Sequence, residues 1–190
     1  PGGTRRKIGT EMIAAATLIR TSVSANDTER STTTRSHDAI NPIPPTIWSY
    51  NTSIVDDEYD PEAAKTLLAE AGVENLSMKV WAMPVSRPYN PDARRMAELI
   101  QADYAAIGVT AEIVSMEWGE YLAQSLLPDR DGAVLLGWTG DNGDPDNFLA
   151  VLLGCDAVGS ANRAQWCNEE FDDLIQKAKV TSDQAERTAL

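Results

Sequence analysis

The sequence predicts an α/β fold in which a mixed, mostly parallel sheet is flanked by helices. From residue 41 onward, segments with the two-residue periodicity of a strand alternate with segments that have the 3.6-residue periodicity of a helix. This alternation favours parallel strands joined by right-handed helical crossovers. The composition of the 190 residues, 43% apolar and 24% charged, is that of a chain that buries a core.

The first helix is predicted over residues 61–71. Asp60 supplies a capping side chain, Pro61 suits the first helical position, and Gly72 can adopt the left-handed conformation that ends a helix. Residues 76–83 then alternate in polarity and predict a strand with one buried face.

A second helix is predicted to begin at Pro91, with Asn90 as its N-cap, and to end at Gly108. Its apolar side chains form a single stripe. A capped helix is also predicted where Asp144 precedes Pro145. The remaining predicted elements are a strand at 109–115, a helix at 117–126, a central strand at 133–138, and helices near 145–153, near 168–179 and from Ser182.

Residues 1–40 differ from the rest of the chain in composition. They carry six Lys and Arg against four Asp and Glu, whereas the other 150 residues carry ten basic and 25 acidic residues. We therefore expect a flexible leader of net charge +2 before a folded region of net charge −15. Basic, apolar and small residues follow one another at 5–7, 12–19 and 22–25 as in a signal peptide, with a frayed amphipathic helix or a non-native leader as alternatives.

Charge and composition exclude several classes of function. The net charge of −13 and the pI near 4.4 argue against nucleic-acid binding, and no segment is long and apolar enough to predict insertion into a membrane. One His, His37, and two Cys exclude a zinc cluster within the chain. The run Asp141, Asp144 and Asp146 lacks the spacing and the final Glu of a calcium loop. We expect no metal and no cofactor.

Two cysteines indicate the compartment. Cys155 and Cys167 enclose an eleven-residue loop between two predicted helices, a length that a disulfide closes readily. A disulfide would point to an oxidising compartment, and two unrelated buried thiols are the alternative.

Five motifs carry a resemblance to a known family. They are Asn41–Thr46, Trp81–Val85, Arg87–Pro91, Glu117–Tyr121 and Gly137–Phe148. Together they resemble the periplasmic dipeptide-binding proteins, the extracytoplasmic receptors of peptide-importing ABC transporters. The resemblance covers residues 41–190 and implies part of one lobe of a type II-like periplasmic-binding-protein fold, because full-length members are more than twice this length. It also implies a dipeptide ligand, a membrane permease as partner, a monomer, and the periplasm of a Gram-negative bacterium.

The resemblance further implies which residues contact the ligand. A dipeptide carries a carboxylate and an ammonium about 7 Å apart, so selection by length needs one fixed cation and one fixed anion. Arg87 would hold the carboxylate and Asp141 the ammonium, each in a loop after the carboxyl end of a predicted strand. Gly137, Thr139 and Gly140 would let a peptide backbone approach, and Trp138 and Trp118 would line the pocket.

Each assignment has a simpler alternative. Arg87 fits a solvated loop cation, Asp141 fits the Asp-Asn-Gly turn, and the two tryptophans fit core positions. Paired acids at Glu117 and Glu120, or at Asp141 and Asp144, suggest glycoside chemistry, but no recognisable catalytic constellation accompanies them. The sequence therefore predicts a binding protein and not an enzyme, with an interaction or scaffold fragment as the alternative.

Overall fold

The computed structural model describes residues 41–55 and 59–190. The predictions for residues 1–40, including the leader, the signal-like order and His37, lie outside the described residues. The described chain divides into two compact units. The first unit comprises 59–117 and 131–135, and the second comprises 41–55, 118–130 and 136–190.

The first unit contains a three-stranded parallel sheet. Its elements are α1 (Pro61–Glu70), β1 (Ser77–Trp81), α2 (Ala93–Ala106), β2 (Thr110–Val114) and β3 (Ala133–Val134). The strand order is β2-β1-β3, and Val80 of β1 pairs with Ile113 on one side and Ala133 on the other. Both pairings are parallel, as the alternation of strands and helices predicts.

The prediction for the third strand is wrong in length and position. Only residues 133–134 pair, and within the described part of the chain β3 bonds to β1 alone, so that β1 is the central strand. The Leu135 N–H still donates to the Trp81 carbonyl at 3.0 Å, and the chain then leaves the first unit at Leu136. The later members of the apolar run, residues 136–138, belong to the second unit.

Small side chains from the helices and the sheet meet in the core of the first unit. Ala64 of α1, Val80 of β1 and Ala97 of α2 are each 0% exposed. Tyr104 of α2 packs in the same cluster, and burial raises the pKa of its hydroxyl. Helices α1 and α2 thus bury their apolar stripes with the sheet, which explains the sequence periodicity.

Helix α2 begins two residues later than predicted. Its N-cap is Asp92, whose carboxylate accepts the Arg95 N–H at 2.9 Å, and the predicted cap Asn90 is wrong. Asn90 instead exchanges both backbone hydrogen bonds with Arg87, at 3.0 and 3.1 Å. The backbone of Asn90 is therefore committed to the preceding turn.

The second unit is helical. It contains α3 (Trp118–Ser125), α4 (Asp146–Leu153), a 3₁₀ turn at Cys155–Ala157, α5 (Glu169–Val180) and α6 (Gln184–Ala189). Helix α5 is capped by Asn168 and α6 by Asp183, close to the predicted starts. The unit's core includes Ile43 and Ile47 packed with Phe148 of α4.

Helix α4 begins one residue after the predicted start. Pro145 occupies the N-cap position instead of the first helical position, so the predicted cap Asp144 lies one residue before the N-cap. The Asp144 carboxylate nevertheless accepts the Asp146 N–H at 2.9 Å and satisfies one free donor of the first turn.

A hydrogen-bond network joins α3 to the loop that precedes α5. Ser125 is 0% exposed, and its Oγ accepts the Arg163 Nε–H at 2.8 Å. The Arg130 guanidinium donates to the Arg163 carbonyl at 2.8 Å, and the Gln165 amide donates to the Leu127 carbonyl at 3.0 Å. These bonds hold the loop without a large apolar core.

None of the helices in the described ranges is both long enough and apolar enough to cross a lipid bilayer.

Candidate functional site

The glycine-rich loop before α4 is held by one side-chain amide. The Asn147 Oδ1 accepts the Trp138 indole N–H at 2.9 Å and the Asp141 backbone N–H at 3.2 Å. Trp138 is 36% exposed, so its ring remains accessible although its N–H is bonded within the protein. The ring can therefore offer a ligand apolar surface but not a hydrogen bond.

Asp141 presents its carboxylate to solvent. The residue is exposed, and none of the ion pairs observed among residues 41–55 and 59–190 includes its carboxylate. Because the backbone N–H of the same residue is bonded to Asn147, the main chain from which the carboxylate projects is held by a neighbour that does not neutralise it. This arrangement suits the capture of an ammonium group.

Thr139 and Gly140 complete the loop. Thr139 is exposed. A Cβ placed on Gly140 would lie 2.5 Å from Cε2 of Phe148, which is closer than side chains pack. Gly140 is therefore explained by packing within the second unit, whereas its predicted contact with a ligand stays a prediction.

Arg87 lies in a tight turn of the first unit. It is half-buried, and its backbone pairs with Asn90 as a short antiparallel bridge. The Tyr89 hydroxyl in the same turn donates to the Met83 Sδ at 3.8 Å. The turn thus fixes the backbone of Arg87, and the carboxylate-binding role of this residue stays a prediction.

Asp144 is engaged within the protein. The Arg187 guanidinium donates to both of its oxygens, and this hydrogen bonding holds the pKa of the Asp144 carboxyl below its usual value. The Arg187 guanidinium also lies 5.2 Å from the centre of the Trp48 ring. Asp144 is therefore an ion-pair partner within the second unit, whereas the Asp141 side chain is exposed.

The other acids of this run are not grouped as metal ligands. Asp146 lies 3.7 Å from the Lys179 Nζ. In the part of the chain that the structure describes, no three His, Cys, Asp or Glu side chains are placed to hold one ion.

The predicted disulfide is confirmed. Cys155 and Cys167 are bonded, with their Cα atoms 4.7 Å apart. Asn162 lies inside this loop at 1% exposure and donates from Nδ2 to the carbonyls of Gly154 and Trp166, at 3.1 and 2.7 Å. The residues next to the two cysteines are thus joined a second time by a buried amide.

Trp118 packs on its own helix. Its ring lies 5.8 Å from the Tyr121 ring in a stacked arrangement, and Tyr121 is 0% exposed. This contact accounts for Trp118 structurally, and its predicted place in a ligand pocket stays a prediction.

The second unit also contains a cavity of about 330 Å³. Its wall includes Ile43, Trp48, Leu149 and Ile175, and it contains none of the loop residues 138–141. It is therefore separate from the candidate site.

Comparison with known proteins identifies the family. Residues 30–160 match the bacterial extracellular solute-binding proteins, family 5 Middle. The chain belongs to this family. Solute-binding family 5 consists of binding proteins and not of enzymes.

Curated members of solute-binding family 5 are highly similar to the chain. The dipeptide-binding protein of Escherichia coli strain K12 is 55% identical over 157 residues, which cover 80% of this chain and 29% of that protein. The di/tripeptide-binding protein 3 of Pseudomonas aeruginosa is 53% identical over 153 residues, covering 80% of this chain and 28% of that protein. The chain therefore spans less than a third of the length of these relatives.

Solved structures confirm the fold expected of solute-binding family 5. A dipeptide-binding protein from Pseudoalteromonas sp. SM9913, in complex with Met-Leu, has a TM-score of 0.83 and 40% identity. The match covers 92% of this chain and 35% of that structure. HbpA2 from Haemophilus parasuis has a TM-score of 0.84 and 35% identity, covering 92% of this chain and 34% of that structure. The architecture is that of part of a type II periplasmic binding protein.

The sequence did not point to Asn147 as a functional residue. It lies inside the motif Gly137–Phe148, but an Asn in the first turn of a helix is ordinary and gives no sign that it bridges a loop. Arg187 was also missed, because its partner Asp144 is 43 residues away in the sequence.

Proposed function

We propose that residues 41–190 are a partial lobe of the substrate-binding component of an ABC importer that captures dipeptides. The observation that carries this proposal is the 55% identity to a dipeptide-binding protein over 80% of the chain. Solved relatives held Met-Leu and the peptide STSA, which supports a short peptide as ligand.

In this function Asp141 receives the ligand ammonium and Arg87 receives the carboxylate. The exposed, unneutralised Asp141 carboxylate on a fixed backbone supports the first role. The planar fork of an arginine can bind a carboxylate through two hydrogen bonds, which supports the second. Trp138 contributes ring surface, and Thr139 and Gly140 border the ligand backbone. Closure of the complete two-lobed protein would remove water from both charges.

The test is calorimetry with Met-Leu on the complete protein that carries these residues. Arg87→Ala and Asp141→Ala should each weaken binding by at least about 30-fold, because loss of one partner from a desolvated charge pair costs about 2 kcal/mol or more. The matched controls are Arg94→Ala, whose side chain is 65% exposed, and Asp156→Ala at an exposed position; both should bind as wild type. Unchanged affinity in both site variants would refute the residue assignment.

Heme is the competing ligand to include. The heme-binding protein A of Haemophilus influenzae is 49% identical over 156 residues. Stabilisation by Met-Leu but not by heme, free amino acids or sugars would support a peptide receptor, and stabilisation by none of them would favour a scaffold role.

The cellular setting belongs to the same proposal. The receptor acts in the periplasm of a Gram-negative bacterium, delivers its ligand to a membrane permease, and works as a monomer without a cofactor. The disulfide agrees with an oxidising compartment. For the 190-residue chain tested by itself we expect weak or no binding, and low-micromolar or tighter affinity would contradict this expectation.

A further inference from the structure

One amide oxygen in the second unit joins Trp138 and Asp141 of the loop that precedes α4. The Asn147 Oδ1 is 2.9 Å from the Trp138 Nε1 and 3.2 Å from the Asp141 backbone nitrogen. Both partners are hydrogen-bond donors, so only the oxygen of the amide can face them. The ring of Trp138 and the backbone of Asp141 are therefore both held by hydrogen bonds to the same atom.

The bonds restrain different parts of the loop. The bond to the indole fixes a side chain, whereas the bond to Asp141 fixes the main chain from which a carboxylate projects. Asp141 lies in a turn that contains Gly140 and Gly143, and glycine permits many backbone conformations. Without the second bond, the backbone of this turn would be less restricted. The direction of the carboxylate would then vary.

The atom that makes these bonds is itself well anchored. Asn147 is in the first turn of α4, and its neighbour Phe148 is 6% exposed in the core with Ile43 and Ile47. The Phe148 ring also lies directly against Gly140, in the middle of the loop. Helix α4 thus holds the loop by polar contacts at Trp138 and Asp141 and by an apolar contact at Gly140.

We propose that Asn147 is a positioning residue for ligand capture, which aims the Asp141 carboxylate at the ligand ammonium and sets the Trp138 ring beside it. The inference rests on the proposed function, because it needs a peptide with a free amino terminus as ligand. Asn147 itself makes no contact with the ligand in this scheme. Its effect is on the recognition of the ammonium.

The substitution Asn147→Leu tests this role. Leucine is similar in size and has no acceptor, and water can replace the lost acceptor because the loop is exposed. The fold should therefore survive while the loop loses its fixed orientation. In the complete protein we expect the affinity for Met-Leu to fall about tenfold, and the preference for Met-Leu over N-acetyl-Met-Leu to fall by a similar factor.

Two further variants separate positioning from stability. Asn147→Asp keeps an oxygen that accepts from both donors and should retain most of the preference for the free amino terminus. Asn168→Ala removes a helix-capping amide that accepts the Phe171 N–H at 2.9 Å, so it lowers stability in the same unit without touching the loop. Its affinity for Met-Leu should stay within twofold of wild type.

The outcomes are distinguishable. A loss of selectivity for the free amino terminus in Asn147→Leu, absent in Asn168→Ala, supports the inference. Wild-type affinity and selectivity in Asn147→Leu, or an equal loss in Asn168→Ala, overturns the inference and leaves the proposed function standing. Failure of the wild-type protein to bind Met-Leu overturns the proposed function, and the positioning role with it.

Discussion

Arg187 binds Asp144 through two parallel hydrogen bonds, with Nη1–Oδ2 and Nη2–Oδ1 distances that are both 2.9 Å. The side chains are 19% and 29% exposed, so this ion pair is better shielded from solvent than the others observed in the described residues. It connects the residue before the α4 N-cap to α6, the last helix of the chain.

We expect Arg187→Ala to lower the free energy of unfolding by about 1–2 kcal/mol, because a well-oriented, partly buried ion pair contributes more stability than an exposed one. The matched control is Lys65→Ala, which removes an exposed pair with Glu62 and should cost at most about 0.5 kcal/mol. Urea denaturation at pH 7 measures both. Equal effects of the two variants would contradict the expectation.

The same ion pair predicts a dependence on pH. Hydrogen bonding to Arg187 lowers the pKa of the Asp144 carboxyl in the folded protein, so the unfolded state binds more protons as the pH falls. The ion pair contributes its full stabilisation of the folded state above the ordinary Asp pKa of about 3.9. This contribution is lost as the pH falls through the lower pKa of Asp144 in the folded protein. The stability difference between wild type and Asp144→Asn should therefore shrink below about pH 4. A difference that stays constant down to pH 2 would show that the pKa is not lowered.

Gly140→Ala should destabilise the second unit. The new Cβ would meet the Phe148 ring at 2.5 Å, and such overpacking costs about 1–3 kcal/mol. A smaller residue at position 148 should relieve the clash, so Gly140→Ala combined with Phe148→Leu should lose less stability than the sum of the single variants. Thermal unfolding of the four proteins completes the cycle. Strict additivity would mean that the two residues do not meet.

The disulfide predicts the thiol content. In denaturant without reductant, titration with a thiol reagent should detect no free cysteine, and after reduction it should detect both Cys155 and Cys167. Reduction should also lower the free energy of unfolding by about 2–3 kcal/mol, since a closed loop of this length restricts the unfolded chain. Two reactive thiols before reduction would contradict the bond.

Asn162→Asp should be among the most damaging single substitutions in the second unit. It replaces an amide that donates to two carbonyls with a buried carboxylate that faces them, at a cost of about 3 kcal/mol or more. Asn142→Asp is the control, because the exposed Asn142 only accepts the Asp144 N–H and a carboxylate can do the same. Chemical denaturation should separate the two clearly. Similar stability of both variants would argue against the buried bonds of Asn162.

Much of the fold follows from local patterns in the sequence. The first helix was predicted within one residue because Asp60, Pro61 and Gly72 act on their immediate neighbours. The disulfide is predictable because the loop between the two cysteines has a length that a disulfide closes readily. These signals depend on residues close together in the chain, and periodicity and capping describe such residues well.

The errors have the opposite origin. Residues 133–138 have the apolar character of a buried strand, but pairing stops after residue 134 and Trp138 is 36% exposed, which no local pattern reveals. At the start of α2, Asn90 and Asp92 are both good caps, and the turn between Arg87 and Asn90 decides between them. The roles proposed for Arg87 and Asp141 came from family resemblance, since their local sequence is equally suited to ordinary loops.

The bonded indole N–H of Trp138 bears on ligand choice. A donor that points outward would favour peptides with an acceptor at one particular place, whereas this donor is occupied by Asn147. The accessible ring offers apolar contact area and a π face without a hydrogen-bond donor. In the proposed site, a receptor built around such a ring would recognise the two ends of a peptide and remain tolerant of what lies between them.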